Sequence, residues 1–276
     1  MTTLVQNPPL KWHGGKQPLA KWLHSLQPAV YTHRNIVFGG GLGEFWNWLP
    51  IEGISEAVND TNGELTNFYS MIRDRETFSE FARMVSLTPF GNDAFDWLAC
   101  EKVAQSRNPL LESAYKFFVK YRMSRQGLGK DYATPTKRVR RGMNENVSAW
   151  LSAVDGLQEC HERLRRVEIR NLDCIDFISK YDHELALFYC DPPYLHETRS
   201  TTGEYGRHEM DYADHEALLA LLSGIKGKFM LSGYRSELYD TAAMHFDWNR
   251  HENTRPNSAS SSKVKESRVE CVWTNY

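Results

Sequence analysis

The chain has 276 residues with an apolar fraction of 41% and an aromatic fraction of 12%, enough for one large domain or a core domain with an insertion. Its formal net charge of −2 gives no overall support for a nucleic-acid partner, and its five scattered cysteines contain no CxxC pair, which excludes a disulfide framework and a zinc site of that kind. No apolar run is long enough for a signal core or a membrane span, so we expect a soluble, cytoplasmic protein without membrane contact.

The first 61 residues predict the start of a nucleotide-binding α/β unit. A short amphipathic helix is expected over residues 16–26, followed by a strand over residues 36–38 that stops at a run of three glycines. A second strand over residues 56–59 ends at Asp60. This order of elements is typical of nucleotide-binding sheets: a strand, a glycine turn, a helix, a second strand and an acid.

The middle of the chain predicts helices, because apolar residues from 62 to about 166 recur at helical spacing. Strand candidates then return at residues 167–169, 185–190, 228–231 and 270–273, with a helix over residues 214–223. The simplest architecture is a Rossmann-like α/β core formed by residues 1–61 and 167–276, with a mainly helical insertion over residues 62–166.

The sequence Asp191-Pro192-Pro193-Tyr194 follows an apolar strand and is the most informative motif. The prolines end sheet pairing and leave nearby carbonyls free to face a ligand. The Asp191 carboxylate and the Pro192 carbonyl can each accept one hydrogen from an exocyclic amine, which makes its nitrogen more nucleophilic in the transition state. Tyr194 can stack on a base that has been flipped out of a duplex. The alternative interpretation is a turn that merely ends the strand.

The glycine run Gly39-Gly40-Gly41 after Phe38 predicts close backbone approach to a ligand at a strand–helix turn. It is not a dinucleotide fingerprint, because Glu44 occupies the place of the last glycine, and no P-loop sequence is present. Asp60 follows Gly41 by 19 residues and is suited to hydrogen-bond ribose hydroxyls. A flexible turn without a ligand is the alternative.

A second glycine pair, Gly14-Gly15, lies between Trp12 and Lys16 just before the first predicted helix. Amide groups at a helix start, with a lysine behind them, suit a carboxylate such as the amino-acid end of a cofactor. A simple helix entry explains the same residues equally well.

These motifs together resemble the Dam-type N6-adenine DNA methyltransferases, and the resemblance covers most of the chain. The matching features are the aromatic-x-Gly-Gly-Lys start, the glycine loop, the acid that ends the second strand, and the Asp-Pro-Pro-Tyr sequence. Residues 59–69, 133–144 and 268–273 add to it and indicate a phage-like member. The resemblance implies a methyltransferase that moves a methyl group from S-adenosylmethionine to N6 of a flipped adenine in double-stranded DNA, with the helical insertion as target-recognition region.

The resemblance also implies roles for single residues. The amino-acid end of the cofactor would contact Trp12 and Lys16. The ribose would bind to Asp60, and the adenine would lie beside Asp173 and Cys174. The complete set of implied cofactor-binding residues is Trp12, Lys16, Phe38, Gly39, Gly40, Gly41, Asp60, Asp173, Cys174 and Asp191, and the catalytic residues are Asp191, Pro192, Pro193 and Tyr194.

One departure from the family pattern precedes Phe38. The family has Glu-Pro at this point, whereas this chain has Ile36-Val37. The cofactor contact of that glutamate must therefore come from elsewhere, and Glu44 is the candidate.

A basic segment from Lys120 to Arg141 contains eight cations and a single acid, Asp131. Such a local concentration of positive charge is suited to phosphates, and the glycines in the segment let it enter a groove. A solvated charge run is the alternative interpretation. The family hairpin for GATC has an Asn-Gly-Leu-type sequence and this chain has Gln126-Gly127-Leu128-Gly129, so GATC specificity is not predicted. The expected DNA-binding residues are Lys120, Arg122, Arg125, Lys130, Lys137, Arg138, Arg140 and Arg141.

Three other functions stay open at this point. N4-cytosine methylation poses the same chemical problem, although serine more often replaces the acid there. RNA adenine is distinguished only through the resemblance, and a DNA-binding protein with decayed catalysis is disfavoured by the intact Asp191, Asp60 and Lys16. We expect no metal, because the acids around His215 suit a helix start. We also expect a monomer that associates with the nucleoid when bound to DNA.

Overall fold

The computed structural model describes residues 8–97, 108–199, 206–256 and 267–276. Within these residues the chain forms nine β-strands and ten α-helices. The strands are β1 (His33–Ile36), β2 (Ser55–Asn59), β3 (Val139–Arg140), β4 (Met143–Asn144), β5 (Val167–Arg170), β6 (Ala186–Cys190), β7 (Lys228–Gly233), β8 (Asn249–Pro256) and β9 (Ser267–Thr274). The helices are α1 (Ala20–Ser25), α2 (Gly63–Arg73), α3 (Arg75–Ser86), α4 (Asn92–Trp97), α5 (Pro109–Met123), α6 (Glu145–Asp155), α7 (Leu157–Leu164), α8 (Cys174–Tyr181), α9 (Tyr212–Leu222) and α10 (Glu237–His245).

The chain divides into two compact units, each built from separate pieces of sequence. The helical unit consists of Met1–Ser25, Gly40–Glu52 and Asn62–Asn171. The sheet unit consists of Leu26–Gly39, Gly53–Thr61 and Leu172–Tyr276. The division into a catalytic domain of residues 1–61 and 167–276 and an insertion of residues 62–166 is a division by function and stays a prediction.

Six strands of the sheet unit lie in the order β2-β1-β6-β7-β9-β8. The four strands from β2 to β7 are parallel, and β9 is antiparallel to both β7 and β8. The mixed α/β architecture confirms the predicted Rossmann-like fold. All five residues of β6 are buried, as expected for a parallel strand covered on both faces.

Helix α9 begins earlier than the sequence pattern indicates. The N-cap is Asp211, whose side chain accepts from the amide of Asp214, and Asp214 in turn accepts from the amide of Asp211. This reciprocal capping box satisfies two free amides at the helix start. The predicted start of this helix at residue 214 was therefore wrong by about one turn, because Asp214 is at position N3 of the helix and Asp211 is its N-cap.

The helical unit is held together by an aromatic cluster between α2, α3 and α5. The ring of Phe68 stacks on Phe117 and on Phe118 with centroids 5.9 Å apart in both cases, and Phe81 meets Phe118 edge to face. Helix α5 begins with Asn108 as its cap and proline at its first position, a favoured arrangement.

Among the described residues, no helix has both the length and the apolar character that crossing a membrane requires.

Candidate active site

The carboxyl ends of β1, β2 and β6 lie at one edge of the sheet unit. The parallel register pairs Ile36 with Val58 and with Tyr189, so the residues that follow each strand lie side by side. The amide of Val37 donates to the Tyr189 carbonyl at 2.9 Å, which extends the ladder beyond β1. This edge carries the predicted Phe38, Gly39, Asp60 and Asp191–Tyr194, and open α/β sheets bind their ligands at such an edge.

Asn59 ties three segments of this edge together. Its buried Nδ2 donates to the carbonyls of Val37 and Leu172, each at 3.1 Å, and its Oδ1 accepts from the Leu172 amide at 2.9 Å. The backbone carbonyl of Asn59 also accepts from the amide of Gly39 at 2.8 Å. Asn59 therefore fixes the ends of β1 and β2 and the segment that leads into α8, next to the half-buried Asp60.

The catalytic candidates begin directly after β6. Asp191 is half-buried, whereas Pro192, Pro193 and Tyr194 are buried. The Tyr194 hydroxyl lies 3.1 Å from Asp191 Oδ1 and also donates to Glu270 on β9. Its ring meets Tyr234 edge to face, with centroids 4.8 Å apart. Burial, together with the charges of Asp191 and Glu270, raises the pKa of Tyr194 well above its usual value, so the phenol keeps its proton.

The predicted adenine-side residues begin helix α8. Asp173 is exposed and caps the helix by accepting from the Ile175 amide at 2.8 Å. Burial, and then the charge of Asp173, raises the pKa of Cys174 to about 12. Burial likewise raises the pKa of Cys190 well above its usual value. Both thiols therefore stay protonated and unreactive at neutral pH.

A buried histidine lies against the Asp-Pro-Pro-Tyr loop. His215 on α9 places Nδ1 2.9 Å from the Tyr239 hydroxyl. Its Nε2 makes no hydrogen bond of standard geometry among the described residues. Burial lowers the pKa of the ring, and the backbone of Pro193 acts in the opposite direction and raises it. Proline has no N–H, so this influence comes from the Pro193 carbonyl. His215 thus connects α9 and α10 to the candidate catalytic loop.

We expect His215 to make the protein less stable in acid. Burial lowers its pKa to about 4, against the raising effects of Asp214 and Asp211, so the folded protein holds the ring neutral. The unfolded chain takes up a proton below pH 6.5, and stability is lost as the pH falls from 6.5 towards 4. The free energy of unfolding is measured in urea at pH 7 and at pH 5. We expect its decrease between these two pH values to be about 2 kcal/mol smaller in His215→Gln than in the wild type. The exposed His245→Gln is the control and should unfold with the pH dependence of the wild type.

In the helical unit, the glycine loop packs against Trp12. A Cβ at Gly40 would lie 2.9 Å from Trp12 Nε1, and one at Gly41 would lie 2.4 Å from Trp12 Cβ. The ring of Trp12 stacks on Tyr121 with centroids 4.9 Å apart. The glycines are therefore required by this packing, whether or not a ligand approaches them. Lys16 is buried, and its Nζ donates to the Gly14 carbonyl at 3.3 Å.

The basic side chains of residues 120–141 are exposed with one exception. The guanidinium of Arg122 points inwards and donates to the Ala149 carbonyl at 2.5 Å, and burial lowers its pKa to about 10. This inward position does not favour DNA binding by Arg122, and its assignment to the DNA-binding set stays a prediction. The exposed members of the set are Lys120, Arg125, Lys130, Lys137, Arg138, Arg140 and Arg141.

Four of these cations lie on or beside a small hairpin formed by β3 and β4. Arg141 and Gly142 form its two-residue turn, with φ angles of +54° and +74°, which matches a type I′ turn. Val139 is 74% exposed and Met143 is also exposed. The hairpin therefore presents cations and apolar side chains to solvent together.

The loop that carries Gln126-Gly127-Leu128-Gly129 is closed by an isolated antiparallel bridge between Ser124 and Tyr132. The Arg125 amide donates to the Asp131 carbonyl and the Gly129 amide to Ser124 Oγ, which closes it into a compact turn. Gly127 is buried against the backbone of Lys11.

Four residues that the sequence did not nominate lie at the site: Asn59, His215, Tyr234 and Glu270. A polar residue next to Asp60, and a lone acid within the apolar stretch of β9, are the signals that point to Asn59 and Glu270. Among the described residues, no group of three or more His, Cys, Asp or Glu side chains is arranged to hold a metal ion.

Comparison with known proteins identifies a family. The family model for the D12 class N6 adenine-specific DNA methyltransferases matches residues 12–256. Among solved structures, a protein of Pyrococcus horikoshii assigned as an RNA methyltransferase matches with 14% sequence identity and a TM-score of 0.26. That match covers 71% of this chain and 96% of the other.

Proposed function

Given that the chain belongs to the D12 class of N6 adenine-specific DNA methyltransferases, we propose that Asp191 and the Pro192 carbonyl accept the two N6 hydrogens of the target adenine. The adenine amino lone pair is delocalised into the ring, so two acceptors that favour a tetrahedral nitrogen stabilise the transition state more than the ground state. The observation that carries the proposal is the half-buried Asp191 carboxylate at the ligand-binding edge of the sheet unit, directly after the buried β6. Tyr194 is proposed to pack against the flipped base.

The carboxyl edge of the sheet unit fits S-adenosylmethionine, which supplies an activated methyl group when it is bound. Asp60 offers a half-buried carboxylate at the end of β2, suited to ribose hydroxyls. Phe38 offers a half-buried ring, and Gly39 offers a backbone without a side chain. Cys174 offers a neutral thiol beside Asp173. Asn59 holds the strand ends that carry these groups.

In the helical unit, we propose that Lys16 holds the carboxylate of the cofactor. Lys16 is only 8% exposed, and a buried positive charge is stabilised by an anionic ligand in addition to its contact with the Gly14 carbonyl. Trp12 packs against Gly40, Gly41 and Tyr121 and so holds the glycine loop of this unit in place. Glu44 is buried in this unit and stays the candidate replacement for the missing family glutamate.

The proposal is tested by expressing the chain in a bacterial host that lacks DNA methylation and sequencing the genome for N6-methyladenine. We expect methylated adenines in one short motif with the wild type and none with Asp191→Asn. Methylation by the variant at the wild-type level would overturn the role of Asp191. Methylated cytosine N4 or RNA adenine in place of DNA adenine would contradict the substrate.

We propose that the hairpin of β3 and β4 and the other exposed cations contact double-stranded DNA. The support comes from the exposure of seven cations within residues 120–141 and from a hairpin narrow enough to enter a major groove. Arg141 is partly held by Ser152, since its Nη1 donates to Ser152 Oγ at 2.7 Å, which fixes the turn.

We further propose that the protein acts as a monomer in the cytoplasm, on nucleoid DNA.

The hairpin cations are expected to set the salt dependence of DNA binding. Replacing Arg138 and Arg140 together by alanine should reduce the slope of log K against log salt by about 2, because each lost phosphate contact contributes about 0.9. The matched control replaces Arg165 and Arg166, two exposed arginines at the end of α7, which removes the same charge. Fluorescence anisotropy titrations at several salt concentrations measure both variants. Equal slopes in the two double variants would show that overall charge, and not the hairpin, governs binding.

A further inference from the structure

An ion pair joins the segment that follows the candidate catalytic motif to the residues that lead into α9. Arg199 Nη2 donates to Glu209 Oε2 at 2.5 Å, and Nη1 donates to Oε1 at 3.4 Å. The two side chains are only 10% and 15% exposed. His196 Nε2 lies 3.4 Å from the same Oε2 of Glu209. Glu209 therefore contacts two side chains of the segment that begins directly after Tyr194.

On the motif side, the ion pair is attached to a short hydrogen-bonded turn. Leu195 is buried, and its carbonyl accepts from the amide of Thr198 at 3.0 Å and from its hydroxyl at 2.7 Å. The amide of Arg199 donates to the His196 carbonyl at 3.2 Å. Because this turn is restrained by its own hydrogen bonds, fixing Arg199 also restricts the backbone next to Tyr194.

On the other side, the ion pair is attached to the start of α9. Glu209 precedes the N-cap Asp211 by two residues. The same helix carries His215, which lies against the Pro193 carbonyl. Burial, and to a smaller extent the positive charge of Arg199, lower the pKa of His215, so the guanidinium lies near the ring that contacts the motif. The ion pair and His215 thus hold the motif from two directions.

Removing two charges from water opposes folding, and a buried ion pair is often no more stabilising than apolar side chains of similar size. A two-point contact between a guanidinium and a carboxylate does, however, fix their relative geometry. We propose that Arg199 and Glu209 are positioning residues that hold the backbone of Pro192, Pro193 and Tyr194 in the orientation needed for methyl transfer, with the Pro192 carbonyl towards the target amine. This inference rests on the proposed role of the motif.

A double-mutant cycle with Glu209→Gln and Arg199→Gln tests the inference, because it isolates this pair from the other contacts of either side chain. We expect each single variant to lower the single-turnover methylation rate about tenfold at saturating DNA and S-adenosylmethionine, since a displaced carbonyl acts on the chemical step. The dissociation constants of DNA and cofactor should stay within about twofold of the wild type. The double variant should react within about threefold of the single variants, whereas independent roles would multiply to about a hundredfold loss. R199K keeps the charge and should recover part of the rate lost in R199Q.

A second double variant, R199M/E209L, separates positioning from stability. Its apolar side chains are expected to preserve the free energy of unfolding in urea, but they lack the two-point contact, so the methylation rate should still fall about tenfold. The control is the two-point pair of Glu80 and Arg83 on α3, which is exposed. E80Q and R83Q should react at the wild-type rate.

A wild-type rate in R199M/E209L would overturn the inference, and so would losses in E209Q and R199Q that simply multiply in the double variant. The two proposals fail separately. If D191N methylates normally, the role of Asp191 is wrong. If D191N is slow while E209Q, R199Q and R199M/E209L react at the wild-type rate, only the role of the ion pair is wrong.

Discussion

A D191N variant is expected to methylate DNA about 10³-fold more slowly than the wild type in a single turnover, in line with the loss of one well-placed group at a reacting centre. Asparagine is close to aspartate in size, but it offers one acceptor oxygen and replaces the other with an NH₂ donor. A donor cannot accept the N6 hydrogen, and the variant also loses the negative charge that stabilises positive charge developing on the nitrogen. The loss should appear in the rate of the chemical step, with DNA and cofactor affinities changed much less.

Rapid-quench single-turnover assays at saturating DNA and S-adenosylmethionine measure this rate. Glu197→Gln is the matched control, because Glu197 is an exposed carboxylate three residues after Tyr194 and its loss changes the charge equally. We expect E197Q to react at the wild-type rate. A D191N rate within tenfold of the wild type would show that Asp191 is not the main acceptor.

The Gly127→Ala variant is expected to lose about 4 kcal/mol of unfolding free energy. Gly127 has φ of +70°, and a Cβ there would lie 2.2 Å from the carbonyl oxygen of Lys11. The left-handed backbone costs an L-residue about 1–2 kcal/mol, and overpacking against backbone that cannot rotate away adds about 1–3 kcal/mol. Urea unfolding followed by tryptophan fluorescence measures the change.

Gly142→Ala separates the two contributions. Gly142 has nearly the same φ, +74°, but a Cβ there would have no atom within 4 Å. We expect G142A to lose only the backbone share, about 1–2 kcal/mol. Equal losses in the two variants would mean that the segment at Lys11 moves aside at little cost.

The fold could be predicted where the strands are apolar. Strands β2 and β6 lie within a residue of their predicted positions, because buried parallel strands are short apolar runs that end at turn residues. Strand β1 begins and ends earlier than the strand predicted over residues 36–38 and shares Ile36 with it, since its sequence includes the buried Arg34 and Asn35. Arg34 is accommodated by a buried ion pair with Glu56 at 2.5 Å. Strand β8 has a polar sequence without apolar alternation, and as an edge strand it needs none.

The candidate site was predictable where the chemistry is local in sequence. The Asp-Pro-Pro-Tyr motif and Asp60 could be nominated because each combines an acid with a strand end. The contact between Glu270 and Tyr194 could not be predicted, because the two residues are 76 positions apart in sequence. The inward direction of Arg122 also depends on packing, because its partner Ala149 lies on another helix.

The strand register has a consequence for how the protein is made. His33 of β1 pairs with Ala186 of β6, so the central pairing of the sheet unit joins residues 153 positions apart. At about 5–20 residues per second, a ribosome needs roughly 8–30 s to synthesise the intervening chain. During that interval the β1 edge that β6 will occupy has no strand to pair with, and an unpaired edge is a site for aggregation. Nascent chains that stop before residue 186 should therefore depend on chaperones, although they already contain the whole helical unit.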